Sequence, residues 1–92
     1  MIKTFRHKGL KELFETGASK SAPADMRERI QRRLDVLDAA AAISGVNVPG
    51  FNLHPLKGSR ADECAITVNK NYRITFRFQD GDAQEVHLED YH

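Results

Sequence analysis

The segment EVHLEDYH ends on Asp90, Tyr91 and His92, a carboxylate, a phenol and an imidazole in succession, directly after residues that read as a strand. All three groups can hold or move a proton. Further back stand His54, in LHPLKG, and Arg73, in NYRITF. These residue types meet the needs of RNA cleavage without a metal. In that reaction the 2′-hydroxyl attacks the neighbouring phosphorus, so a base must take its proton. An acid must protonate the leaving 5′ oxygen, and a cation must meet the added phosphate charge. Imidazole suits both proton transfers, with an ordinary pKa of about 6.5. The planar fork of arginine matches phosphate oxygens. A carboxylate can orient an imidazole, and a tyrosine can stack on a base. Each residue also has a plainer reading: His92 as a frayed end, Asp90 as a solvated acid, Tyr91 covering the core edge, His54 as a surface strand residue, Arg73 as the partner of Glu89.

Other charged groups could meet phosphate. Arg27, Arg29, Arg32 and Arg33 place four arginines within seven residues. Asp25–Arg29 and Glu28–Arg32 stand at i,i+4, so a solvated helix face accounts for much of that density. Lys57 and Arg60 bracket a Gly-Ser turn. Charge is unevenly spread: residues 1–46 hold nine Lys/Arg against six Asp/Glu, whereas residues 79–92 hold five acids and no Lys or Arg. Such asymmetry points weakly to a nucleic-acid or partner-binding side. Cys64 is the only cysteine, which excludes an intrachain disulfide and a cysteine-based zinc site. The four histidines show no paired metal-ligand spacing, so neither metal nor cofactor is expected. The start, MIKTFRHKGL, is charged and has no apolar run suited to a signal peptide, and no segment approaches a membrane span. The cytoplasm is the expected compartment.

The elements that must position these groups follow from periodicity. Ninety-two residues predict one domain, 1–92, with one small core. IKTF reads as a short first strand. A helix is predicted over 8–16, with Leu10, Leu13 and Phe14 at helical spacing and Gly17 as its stop. A second is predicted over 23–43, opening at Pro23 and carrying Met26, Ile30, Leu34, Leu37 and Ala41 as one apolar stripe. Strand segments follow in FNLH, CAITV, YRITFRF and AQEVHL. With Ile66 and Val68 inward, Tyr72, Ile74, Phe76, Phe78, Val86 and Leu88 must join them. That parity demands an odd number of residues in both connecting loops, which disfavours a two-residue hairpin at Asp80-Gly81 and favours three or five. The other face then collects Thr67, Arg73, Thr75, Arg77, Glu85, His87 and Glu89, with Arg77 opposite Glu85 and Arg73 opposite Glu89. His54 and Tyr91 join this bare face, and the helices cover the opposite one.

Taken together, MIKTFRHKGLKELFETG, LHPLKG, ITVNKNYRITFRFQDGDA and LEDYH resemble, in order and spacing across essentially the whole chain, the HigB-type toxins (proteic killer proteins) of the RelE/ParE toxin–antitoxin superfamily. The resemblance implies an α+β fold, a small twisted antiparallel sheet with two N-terminal helices packed on one face. It implies a ribosome-dependent endoribonuclease that cleaves mRNA in the ribosomal A site. A helix-turn-helix antitoxin of HigA type would neutralise it, and operator DNA would be bound only through that complex. Carried over residue by residue, it implies His54, Arg73, Asp90, Tyr91 and His92 as catalytic and Lys57 as a phosphate contact. Relatives commonly have Trp where this chain has Cys64 and Tyr72, both on the inward parity. Two other readings share the fold: a ParE-like gyrase poison without nuclease activity, and an inactive toxin-derived co-repressor.

Overall fold

A computed structural model describes residues 1–20 and 22–90. Helix α1 spans Lys8–Thr16, as expected from its apolar spacing. The Leu10 N–H donates to His7 Nδ1 at 3.0 Å, so a histidine caps the N-terminus. Gly17 stops the helix in a left-handed conformation (φ 78°), its N–H returning to the Leu13 carbonyl.

The second helix is shorter than expected. A 3₁₀ turn over Ala24–Met26 precedes helix α2, Arg27–Ala39. Ala40 is already extended, and Ile43–Val46 forms a separate 3₁₀ turn. Helix propensity would carry the alanine run onward; packing overrules it. The chain folds back so that Val46 and Phe51 enter the core, and it passes so close that a Cβ on Gly45 would lie 3.2 Å from Ala40 Cβ. Ala41, expected inward, is exposed. The remaining stripe holds: Met26, Ile30, Leu34 and Leu37 are buried with Leu10 and Leu13 against the sheet.

Among the described residues the sheet has four antiparallel strands in the order β1 (His54–Pro55), β2 (Cys64–Thr67), β3 (Tyr72–Gln79) and β4 (Asp82–Asp90). The FNLH segment is a strand only at its end, because Asn52 takes a left-handed conformation (φ 51°) that breaks the extended run. The IKTF segment does not form a full strand. It runs parallel to β4 through two bridges, Ile2 with Ala83 and Phe5 with Val86, and so covers that sheet edge. Between those bridges the Glu85 N–H donates to Thr4 Oγ1 instead of to a carbonyl.

The inward parity is as expected, but it is reached differently. At the β2–β3 turn an odd number of residues, the five of 68–72, lies between the register partners Thr67 and Arg73, with Ile66 opposite Ile74. The β3–β4 turn does have two: Gln79 faces Asp82 across Asp80 (φ 53°) and Gly81 (φ 81°), both left-handed as a type I′ hairpin requires. Alone, that turn would put Val86 and Leu88 outside. A β-bulge corrects it, because the register shifts between Thr75 and Arg77 and leaves Glu85 and Val86 together opposite Phe76. Ala83 before the bulge and Val86, its second residue, are both fully buried. Arg77 therefore faces Gln84 in register, yet its Nη1 still reaches Glu85 at 2.9 Å.

Glu85 is left-handed (φ 52°), which costs a residue with a Cβ about 1–2 kcal/mol. Glu85→Gly removes that strain and loses one exposed ion pair worth about 0–1 kcal/mol. Glu85→Val adds a branched Cβ to the same conformation. In urea unfolding the Gly variant should match or exceed the parent, with the Val variant about 1–3 kcal/mol below it. Equal midpoints for the two would mean that residue 85 does not carry the bulge. Among the described residues no helix is long and apolar enough to cross a membrane.

Candidate active site

The outward face of the sheet is not bare. After β1 the chain turns at Gly58 (φ 66°) into a 3₁₀ turn, Gly58–Arg60, and the Arg60 side chain reaches back across the strands. Its Nη1 and Nη2 donate to the two carboxylate oxygens of Glu89 at 3.1 and 2.7 Å. Its Nε and Nη2 donate to Glu63 at 3.0 and 3.3 Å. Glu89 also accepts from Arg73, at 3.1 Å from Nε and 2.6 Å from Nη2. The expected Arg73–Glu89 cross-strand pair is present, inside a larger network. Arg60, an expected phosphate contact, enters the site as a brace between two carboxylates. These hydrogen bonds, those from Arg60 foremost, hold the Glu89 carboxyl at a pKa of about 2. They also lower that of Glu63.

His54, Pro55, Leu56, Lys57, Arg60 and Arg73 line one shallow cleft of about 310 Å³. His54 Nδ1 lies 2.7 Å from the carbonyl oxygen of Asn52. A carbonyl only accepts, so Nδ1 carries the hydrogen and Nε2 of the neutral ring keeps its lone pair. The left-handed Asn52 thus fixes the histidine tautomer. Asp90 closes β4 opposite Tyr72. Tyr91 and His92 lie outside the described residues.

The sequence has close relatives. Residues 3–92 match the family described as the RelE-like toxin of the type II toxin–antitoxin system HigB. The chain belongs to the HigB-like toxin family. It is 50% identical over 92 residues to the "Endoribonuclease HigB" of Proteus vulgaris, with all of both chains covered. It is 33% identical over 91 residues to the "Toxin HigB-1" of Vibrio cholerae serotype O1, covering 97% of this chain and 96% of that one. As a HigB-like toxin of a type II system it has an antitoxin partner. Cys64 and Tyr72 are half-buried against the core. Burial raises the Cys64 thiol pKa, which keeps it protonated and poorly nucleophilic.

The arginine cluster of this HigB-like chain divides in two. Arg33 is 8% exposed; its Nε donates to the Thr67 carbonyl at 2.7 Å, and its guanidinium lies 4.5 Å from the Phe51 ring centroid. Arg29 Nη1 donates to the Val68 carbonyl at 3.1 Å in place of an Asp25 pairing. Arg33 binds helix α2 to the last carbonyl of β2, which β1 begins too late to pair, and Arg29 reaches the carbonyl just beyond it, in the turn to β3, where the Tyr72 N–H goes to Asn69 Oδ1. Arg27 Nε donates to the Ala22 carbonyl at 3.2 Å, and Arg32 is exposed. Arg29, Arg32 and Arg33 also line a second depression of about 550 Å³ together with Asp25 and Glu28, so its charge is mixed.

Two features of the HigB-like face escaped sequence reasoning. Arg60 and Glu63 sit at i,i+3 in a turn, a spacing that signals a pair but not its link to Glu89. His7 and His87 place their rings 5.6 Å apart, and burial lowers both pKa values, with Arg6 and His7 adding to the effect on His87. Thr75 Oγ1 and His87 Nδ1, cross-strand neighbours, are buried without a hydrogen-bond partner among the described residues.

Proposed function

We propose that this endoribonuclease toxin cleaves mRNA in the A site of the small ribosomal subunit and so blocks translation. The observation that carries the reading is the joint placement of His54, Lys57 and Arg73 on one open cleft, with Nε2 of His54 available as a base. In this reading His54 Nε2 takes the 2′-hydroxyl proton. The 2′ oxygen bonds to phosphorus, the P–O5′ bond breaks, and an acid of the terminal segment, Asp90 or His92, protonates O5′. The products are a 2′,3′-cyclic phosphate and a 5′-hydroxyl. Arg73 meets the charge that develops on the phosphate, Lys57 contacts a neighbouring phosphate, and Tyr91 stacks on a base. No metal is needed for any step. Arg27, Arg29 and Arg32 on helix α2 suit ribosomal RNA phosphates, while Arg33 acts as a brace. A HigA-type helix-turn-helix antitoxin neutralises the toxin in the cytoplasm, and operator DNA is met only through that complex.

Mapping of mRNA 3′ ends after brief induction tests this. New ends should fall at fixed positions within codons of translated messages and carry cyclic phosphate. Intact messages with inhibited DNA supercoiling would replace the reading with a gyrase poison. Intact messages with normal growth would favour the co-repressor.

A further inference from the structure

An alternating row of charges crosses the outward face: Glu63, Arg60, Glu89 and Arg73, with Arg6 at 3.9 Å from Glu63 at its far end. The row ends at the cleft. Arg73 has a long side chain with many rotamers, and a cation that must meet a transition state works best when already fixed. Glu89 Oε1 takes both Nε and Nη2 of Arg73, which sets the plane of the guanidinium as well as its position. A single carboxylate would also cancel the positive charge it holds. Here Arg60 grips both oxygens of the same carboxylate. The Arg60–Glu89–Arg73 group keeps a net positive charge, and Glu63 balances the far edge of Arg60.

We propose that Glu89 is a positioning residue for RNA cleavage: its carboxylate, clamped by Arg60, fixes the Arg73 guanidinium at the wall of the His54 cleft. This rests on the reading of Arg73 as the transition-state cation. Without Glu89, the Arg60 and Arg73 guanidinium groups repel each other and Arg73 loses the two hydrogen bonds that set its plane. Misplacement of a catalytic group by about 1 Å costs on the order of 10²-fold in rate.

The experiment is steady-state cleavage of mRNA on programmed ribosomes by the full chain, with urea unfolding of each variant. Glu89→Gln should lower kcat about 10- to 100-fold with KM within about twofold. Glu89→Asp, which keeps the charge, should recover part of that loss. Arg60→Gln should also lower kcat and leave KM in place; it serves as the second variant should Glu89→Gln fail to fold. The Arg73 Nε–Hε proton resonance should shift in Glu89→Gln and return toward its position in Glu89→Asp. Wild-type kcat in Glu89→Gln, or a raised KM with unchanged kcat in Arg60→Gln, overturns the proposal. Arg73→Ala separates the two levels. If Arg73→Ala is inactive while Glu89→Gln cleaves normally, only the positioning role falls. If Arg73→Ala cleaves normally, the reading of Arg73 falls and takes this proposal with it.

Discussion

His54→Ala will lower the rate of mRNA cleavage by on the order of 10²–10⁴-fold, the usual loss on removing one general acid or base, while the protein stays folded. The histidine sits on a two-residue edge strand, half-exposed, outside the apolar core. Among the described residues its side chain makes one hydrogen bond, Nδ1 to the Asn52 carbonyl, whose loss costs about 1 kcal/mol. That is small against the stability of such a domain, so a large loss of activity cannot come from unfolding. Deletion of His92, one of the two groups proposed to protonate O5′, should show the same signature. Single-turnover cleavage on programmed ribosomes, beside urea unfolding of the same samples, checks both variants. Near-parental cleavage by His54→Ala would remove the base from the proposed mechanism. Near-parental cleavage by the His92 deletion would remove the terminal residue from it and reopen the gyrase-poison and co-repressor readings.

Phe76→Ala should produce the opposite signature, a loss of stability of about 3–5 kcal/mol with activity failing only as the protein unfolds. Phe76 is fully buried and is the largest side chain of the core's innermost set. It lies opposite both bulge residues, Glu85 and Val86, so its removal leaves a cavity where the sheet bends. A domain of this length has a total stability of roughly 5–14 kcal/mol at ~0.05–0.15 kcal/mol per residue. The variant should therefore unfold at much lower urea, and part of it should be unfolded at 37 °C. Phe78→Ala, one alternation along the strand and only half-buried, should cost less. Circular dichroism through a urea series gives both values. A Phe76→Ala midpoint equal to that of Phe78→Ala would show that the core is not centred on β3.

Much of this arrangement was legible locally. The spacing of Leu10, Leu13 and Phe14 before Gly17 determined α1, because helix period and helix stop are properties of adjacent residues. Strand alternation determined which side chains of β3 face the core, and with it the outward placement of Arg73 beside Glu89. The LHPLKG and LEDYH blocks marked the candidate site. What tertiary structure decided is of another kind. Sequence parity and the Asp80-Gly81 hairpin signal were in conflict, and both were right. A bulge of Glu85 and Val86 opposite Phe76 reconciles them. Helix α2 ends at Ala39 because burying Val46 and Phe51 outweighs the propensity of four alanines. Arg33 became a brace because β1 begins too late to pair the Thr67 carbonyl, which no reading of the helix alone could reveal. Arg60 turned from RNA toward Glu63 and Glu89 because opposite charges from three separate segments meet only once the sheet has formed. Alternation and capping act within a few residues; competition among partners for one buried carbonyl or carboxylate is settled only when the whole chain is in place.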